Sequence, residues 1–188
     1  MTADDQRWLD ADELEAWIPL IPVLLLLPGA LDAQLQRDSG LTFYEYVVLS
    51  SLTQVDADGF RMSELAAVTS GALNRLSQVV TRMEQRGWVA RHPDPDDKRA
   101  TRVVLLPEGR RVVGSAAPGH LDAVRRAVFD GLSPSQVRQL RRIALAIAAN
   151  LTGPDALQTV RQRMRKPSDP PEAERLRPAT DTAANPPP

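Results

Sequence analysis

The stretch Met62–Arg110, MSELAAVTSGALNRLSQVVTRMEQRGWVARHPDPDDKRATRVVLLPEGR, decides the fold. Read from its N-terminal end, it predicts a short helix, a turn, a longer helix with one richly polar face, and two strands joined by a charged tip. That order seats a helix in the DNA major groove and lays a β-ribbon alongside it. The expected fold is mainly α with a small β-hairpin wing: a winged helix-turn-helix DNA-binding lobe plus a helical dimerisation region.

Within the stretch, Arg61–Thr69 reads as the first helix, and Thr69 or Ser70 is the expected cap of the second. Leu73, Leu76, Val80 and Met83 recur at three- and four-residue steps and should face the core. Asn74, Arg75, Gln78, Thr81, Arg82 and Gln85 take the opposite face. Gly87 is the expected stop. Trp88–His92 and Thr101–Leu106 are short β-prone runs joined by Pro93–Lys98, a hairpin with a charged tip.

The polar face has the chemistry of a DNA-reading surface. Ser70, Asn74, Arg75, Ser77 and Gln78 fall at the turn and in the first half of the second helix, the part that enters a groove deepest. Asn and Gln can pair bidentately with adenine, Arg with guanine, and Ser with donors or acceptors. Arg82 lies one to two turns further on and suits a phosphate. Periodicity alone favours an ordinary solvated surface helix, which is the commoner object. The hairpin tipped with Asp97, Lys98 and Arg99 tips the balance toward DNA.

Here the pattern becomes specific. The residues SELA…LSQVVTRMEQRGWVARHPDPDDKRATRVVLLPEGR resemble the MarR family of bacterial transcriptional regulators. That family shows an ELA helix, a recognition helix, E-x-R-G-hydrophobic-V, then D-P-x-D-x-R-A and a Leu-Thr-x-x-Gly-Arg close. Two positions depart from it: Ser77 stands where threonine is usual, and Pro107 replaces the threonine of the close. Serine keeps the hydroxyl and proline suits a helix start, so the fold is not threatened. The resemblance spans residues 10–152. It implies an obligate dimer, an Arg99 that reaches the minor groove, and an Asp97 that braces the wing through a salt bridge. A narrow minor groove attracts arginine by its negative potential. The rival reading of DPDPDDKR is a solvated turn whose charges only prevent edge pairing.

Charge supports the assignment locally. The formal net charge is −1, yet residues 60–111 carry ten basic against six acidic side chains, a local net of +4. A phosphate meets the local field. Residues 1–15 are acidic instead. With no cysteine, disulfides, thiolate metal sites and thiol redox sensing are excluded. That composition, with no signal-peptide pattern, points to a cytoplasmic protein.

Outside the lobe, residues 1–10 form an acidic N-terminal arm and 11–152 the MarR-type domain. Within the domain, 11–55 and 108–152 are the expected helical dimerisation parts and 56–107 the winged lobe. Residues 153–188 form a C-terminal extension, proline-rich and expected to be disordered from 167. A first helix is expected from about Asp12 to Arg37. Its run Trp17–Leu31 (WIPLIPVLLLLPGAL) is uncharged but short of the ~20 residues of a membrane span and interrupted by prolines. A helix apolar on nearly every face needs a partner to bury it, and a second subunit is the natural one. Thr42-Phe43-Tyr44-Glu45 is a capping box opening a helix to about Thr53, and Asp58-Gly59 marks a turn. From Glu108 a helix runs to about Phe129 with a kink expected at Pro118. Ser133-Pro134-Ser135-Gln136 opens a last helix to about Leu151.

Other chemistry finds no support. Asp94, Asp96 and Asp97 lack the glycine and terminal glutamate of a calcium loop. His92 and His120 are far apart in sequence, without cysteines to complete a zinc site. No catalytic motif or cofactor fingerprint is present, so neither an enzyme nor a cofactor is expected. Trp17, Phe43, Tyr44 and Tyr46 are pocket candidates for a small aromatic effector, although aromatics at helical spacing are more often core. The expected function is a homodimeric repressor that binds a pseudo-palindromic operator in double-stranded DNA and is modulated by a small apolar or aromatic ligand, with no membrane partner. The rival is a winged-helix protein–protein interaction module without DNA binding.

Overall fold

The computed structural model describes residues 7–55 and 58–152. The expectations for the start of the acidic arm and for the extension from residue 153 lie outside the described residues.

Helix α1 spans Ala11–Ser39. It starts one residue before the expected point because Asp10 and Glu13 form a capping box: Asp10 accepts the Glu13 N–H at 2.8 Å and Glu13 accepts the Asp10 N–H at 3.0 Å. Gly40, in the left-handed region at φ 64°, ends it. Pro19, Pro22 and Pro28 lie inside this helix, so the carbonyls of Glu15, Ile18 and Leu24 lose their usual N–H partners. Only its C-terminal part enters the fold, through Leu31, Gln34 and Leu35.

Helix α2, Phe43–Thr53, opens on the capping box expected at Thr42 and Glu45 and sends Val48, Leu49 and Leu52 into the core. Strand β1, Phe60–Arg61, was not foreseen; two residues are too short to show a period-2 pattern. It pairs with β3 (Thr101–Leu105), Phe60 opposite Val103, and β2 (Val89–Pro93) pairs with the other edge of β3. The wing is therefore a three-stranded antiparallel sheet, order β1-β3-β2, rather than a lone hairpin. Gly59 enters β1 at φ 65°, where a Cβ would strike the Val103 carbonyl; the turn needs glycine on both counts.

Helices α3 (Met62–Val68) and α4 (Leu73–Gln85) form the helix-turn-helix. Neither Thr69 nor Ser70 caps α4; the cap position is Ala72, with no side-chain hydrogen bond. The Thr69 hydroxyl instead donates back to the Leu65 carbonyl at 2.7 Å, the local competition typical of hydroxyl side chains. Ser70 takes the turn's left-handed conformation at φ 50°. Leu76, Val79, Val80 and Met83 of α4 are buried, but Leu73 is 51% exposed. Helical side chains lean toward the N-terminus, so a residue in the first turn leans off the end of the core.

Helix α5, Pro107–Val124, continues through Pro118 and passes into a π turn, Arg125–Phe129. Helix α6, Pro134–Thr152, starts where expected: Ser133 donates its N–H to Gln136 at 2.8 Å. The core is continuous across the molecule, joining Leu35 of α1, Leu49 and Leu52 of α2, Phe60 and Val103 of the sheet, Leu76 and Met83 of α4, and Val113 of α5.

Much apolar surface stays outside that core. On α1, Trp17, Ile18, Ile21 and Val23–Leu26 are exposed; on α6, which buries no residue, Leu140, Ile143, Ile147 and Leu151 are exposed. As folded, α1 is long and apolar enough to cross a membrane by length and composition, a property that counting only its uncharged run concealed.

Candidate nucleic-acid interface

The outer face of α4 is a single polar surface. Asn74, Arg75, Ser77, Gln78, Thr81, Arg82 and Gln85 are all exposed, on the side opposite Leu76, Val80 and Met83. Two of the arginines are held from beneath by α2. The Arg75 guanidinium lies over the Tyr44 ring, 4.7 Å from its centroid, a cation–π contact that limits where the charge can swing. Arg82 Nε stands 3.9 Å from the carboxylate of the buried Glu45. The Tyr44 hydroxyl meets Thr69 Oγ1 at 3.1 Å and fills the space over Gly71, where a Cβ would collide with it. The turn between α3 and α4 is thus seated on α2, with Ser70 exposed at its tip.

The wing is organised around Asp94 rather than Asp97. Asp94 is 1% exposed. Its carboxylate accepts Arg61 Nε at 2.8 Å and Nη2 at 3.0 Å, Arg102 Nε at 2.6 Å, and the backbone N–H groups of Asp96 and Asp97 at 3.0 Å each. The Arg61 guanidinium above all, with Arg102 and the two N–H groups, holds this carboxyl well below the usual carboxylate range although burial pushes the other way. With two guanidiniums in place, Asp94 is no cation ligand. The expected Asp97 salt bridge is not formed: Asp97 is exposed and its carboxylate accepts the Arg99 backbone N–H at 3.0 Å. Two residues of separation favour that local turn over an ion pair. Lys98 and Arg99 are exposed, and no carboxylate pairs with either among the described residues.

Arg91 is a latch that sequence reasoning missed, having counted it only as positive charge. From β2 it donates to the Glu84 carboxylate at 2.7 Å, the Ser77 carbonyl at 2.8 Å and the Thr81 hydroxyl at 3.1 Å. It fastens the wing's first strand to α4. A basic residue in a strand, seven residues beyond a glutamate near a helix end, was the available signal.

Between α1, α2 and α4 lies a cleft of about 660 Å³. Pro28, Gly29 and Asp32 line one wall, Thr42, Phe43 and Tyr44 another, and Arg75, Gln78, Val79 and Arg82 the third. Of the pocket candidates it gathers Phe43 and Tyr44 but not Trp17 or Tyr46. Trp17 stands on the uncovered face of α1, 44% exposed. Tyr46 turns inward, its ring 4.2 Å from that of His120, and burial raises its phenol while a hydrogen bond with Ser50 opposes the shift. His120 is buried among Phe43, Tyr46 and Gln34, which is 3.4 Å from Nδ1, and burial lowers its pKa. Among the described residues no group of three or more His, Cys, Asp or Glu side chains is placed to hold a metal ion.

A helix-turn-helix with an open polar second helix, latched to a wing that carries two unpaired bases, defines a winged-helix DNA-binding protein. Comparison with known proteins narrows the class. Residues 41–101 match the model of the MarR family. The MarR family regulator Sco3205 of Streptomyces coelicolor, solved in complex with DNA, is 41% identical, with TM-score 0.76 over 81% of this chain and 95% of that one. CouR of Rhodococcus jostii RHA1, solved bound to p-coumaroyl-CoA, is 28% identical, with TM-score 0.62 over 72% of this chain and 94% of that one. The transcriptional regulator HosA of Escherichia coli O111:H- is 33% identical over 78 residues, 42% of this chain and only 56% of its own length. The chain belongs to the MarR family of transcriptional regulators, which bind DNA and are not enzymes.

Proposed function

We propose that two copies of this chain, in the cytoplasm, form a homodimeric repressor that reads a pseudo-palindromic operator. In each copy α4 enters the major groove and Arg99 of the wing reaches the adjoining minor groove. The observation that carries the reading is the α4 face, where Asn74, Arg75, Ser77 and Gln78 stand together and exposed, opposite the side that packs on the core. In this reading Gln78, Asn74 and Arg75 read bases, Ser70 and Ser77 contact the groove edge, and Arg82 and Lys98 hold phosphates. Asp97 shapes the tip beside Arg99.

The uncovered apolar faces of α1 and α6 favour the dimer over a membrane role. At about 1.5–3 kcal/mol for each such side chain fully buried, covering the exposed apolar residues of these two helices can offset an association cost of about 4–15 kcal/mol. A bilayer would leave α6 uncovered and would draw Leu31 and Leu35 out of the core.

The cleft supports control by a small aromatic or apolar ligand, bound against Phe43 and Tyr44. Arg75, Gln78 and Arg82 line it and also belong to the proposed DNA face. A ligand that draws them inward competes with DNA, so release is the simplest output, and DNA weakens ligand binding by the same factor.

The test is selection of duplexes from a random pool by the purified full chain. The expected product is a motif with two related half-sites about one helical turn apart. Failure to enrich any motif would contradict DNA reading. The rival, a protein–protein module, predicts that outcome.

A further inference from the structure

We propose that Asp94 is the residue that positions the wing for DNA, a task the family resemblance would give to Asp97. The inference rests on the reading of Arg99 as a minor-groove contact and names what holds Arg99 in place.

The connection from β2 to β3 carries the wing tip, and a charged connection of this length has no core of its own to keep it in one shape. Asp94 supplies that order from one buried carboxylate. It accepts the N–H groups of Asp96 and Asp97, while its own N–H donates to the Ala100 carbonyl at 3.0 Å and the Ala100 N–H to the Asp97 carbonyl at 2.8 Å. The turn that presents Lys98 and Arg99 is closed by these bonds. The same carboxylate reaches sideways to Arg102 of β3 and Arg61 of β1. Arg61 is also the N-cap of α3, its backbone N–H held by Glu64 at 3.0 Å. One anion therefore ties the tip, the edge strand β1, the central strand β3 and the start of the helix-turn-helix into a single unit. Asp97, by contrast, is exposed and bonds only within the tip among the hydrogen bonds described.

The electrostatics make the arrangement sensitive. Two guanidiniums converge on one carboxylate, so neutralising Asp94 leaves two like charges facing an amide in a buried position. Arg61 and Arg102 then separate, and the tip, whose Asp96 and Asp97 N–H groups an amide oxygen can still cap, loses its tie to β1 and β3, while α4 keeps its own packing through Leu76, Val80 and Met83.

The experiment measures affinity for a duplex selected by the wild-type full chain, comparing Asp94→Asn, Asp97→Asn, Arg99→Ala and the double variant Asp94→Asn/Arg99→Ala. Thermal melts and sedimentation establish that each is folded. Asp94→Asn should lose about ten-fold in affinity, Asp97→Asn less, and the double variant should lose far less than the product of the two single losses, because Asp94 acts mainly through Arg99. Hydroxyl-radical protection in the outer minor groove should vanish in Asp94→Asn while major-groove protection remains, a split that general loss of stability would not produce. Wild-type affinity in Asp94→Asn, or losses that multiply in the double variant, would overturn the proposal. If Asp94→Asn does not fold, Arg102→Gln keeps the carboxylate and carries the same cycle with Arg99→Ala, under the same criteria. Failure of the wild-type chain to select any duplex would instead strike the DNA-reading function itself.

Discussion

Gln78 and Arg82 stand one turn apart on the same exposed face, and the proposed function gives them different work. Gln78 is free to present its amide to a base edge, whereas Arg82 is steered by Glu45 at 3.9 Å. Gln78→Ala should cost about 1–3 kcal/mol on the selected duplex and little on random DNA. Arg82→Ala should weaken both alike and flatten the salt slope by roughly one unit. Equal losses on both duplexes for both variants, read by fluorescence anisotropy, would erase the distinction. His120 yields a pH prediction. Burial favours its neutral form, so the folded-state pKa lies below the unfolded value of about 6.5. Its contribution to stability is complete above that pH and is lost as pH falls through the folded-state value. The melting temperature should decline from pH 7 to pH 5 more steeply in the wild type than in His120→Phe; parallel profiles would show that His120 is not responsible. At this scale the sequence identified residue types well and partners poorly. Asn74, Arg75, Ser77 and Gln78 could be placed by helical spacing alone. The roles of Asp94 and Arg91 depend on partners at Arg61, Arg102 and Ser77 that only the folded sheet brings near.

Among the elements, helix-terminus chemistry was most legible. The Thr42–Glu45 box and the Ser133 start are local signals that tertiary packing does not override. Strand β1 was illegible because two residues carry no periodicity, and the turn before α4 because Thr69 and Ser70 look like caps yet serve the turn itself. The stripe on α4 illustrates a partial reading: its 3.6-residue period was evident, but where the core begins was not, so Leu73 was included and Val79 omitted. A stability comparison tests the corrected stripe. Leu76→Ala, at a fully buried position, should destabilise by about 2–5 kcal/mol, whereas Leu73→Ala should stay within about 0.5 kcal/mol of wild type. Chemical denaturation gives both values, and a Leu73→Ala cost equal to that of Leu76→Ala would restore the original stripe.

For the whole molecule, the decisive property is the apolar surface that α1 and α6 leave uncovered. The apolar spacing of α1 and α6 is legible in the sequence, but that α6 buries none of its apolar residues is visible only in the fold. Sedimentation should show a stable dimer at micromolar concentration, and Leu25→Asp with Ile143→Asp should yield monomers that retain the helix-turn-helix core. A wild-type chain that stays monomeric and folded would contradict the dimer. In the proposed dimer the α4 face and the wing are present twice, which would double the phosphate contacts assigned to Arg82 and Lys98. The most direct test of the account is therefore the affinity of the full chain for its selected duplex measured across a range of salt concentrations. Phosphate-driven binding releases about 0.9 counterions per contact, so the account predicts a steep linear fall of log affinity with log salt, shallower in Arg82→Ala. An affinity that stays level as salt rises would contradict it, because apolar contact with a protein partner behaves in that way.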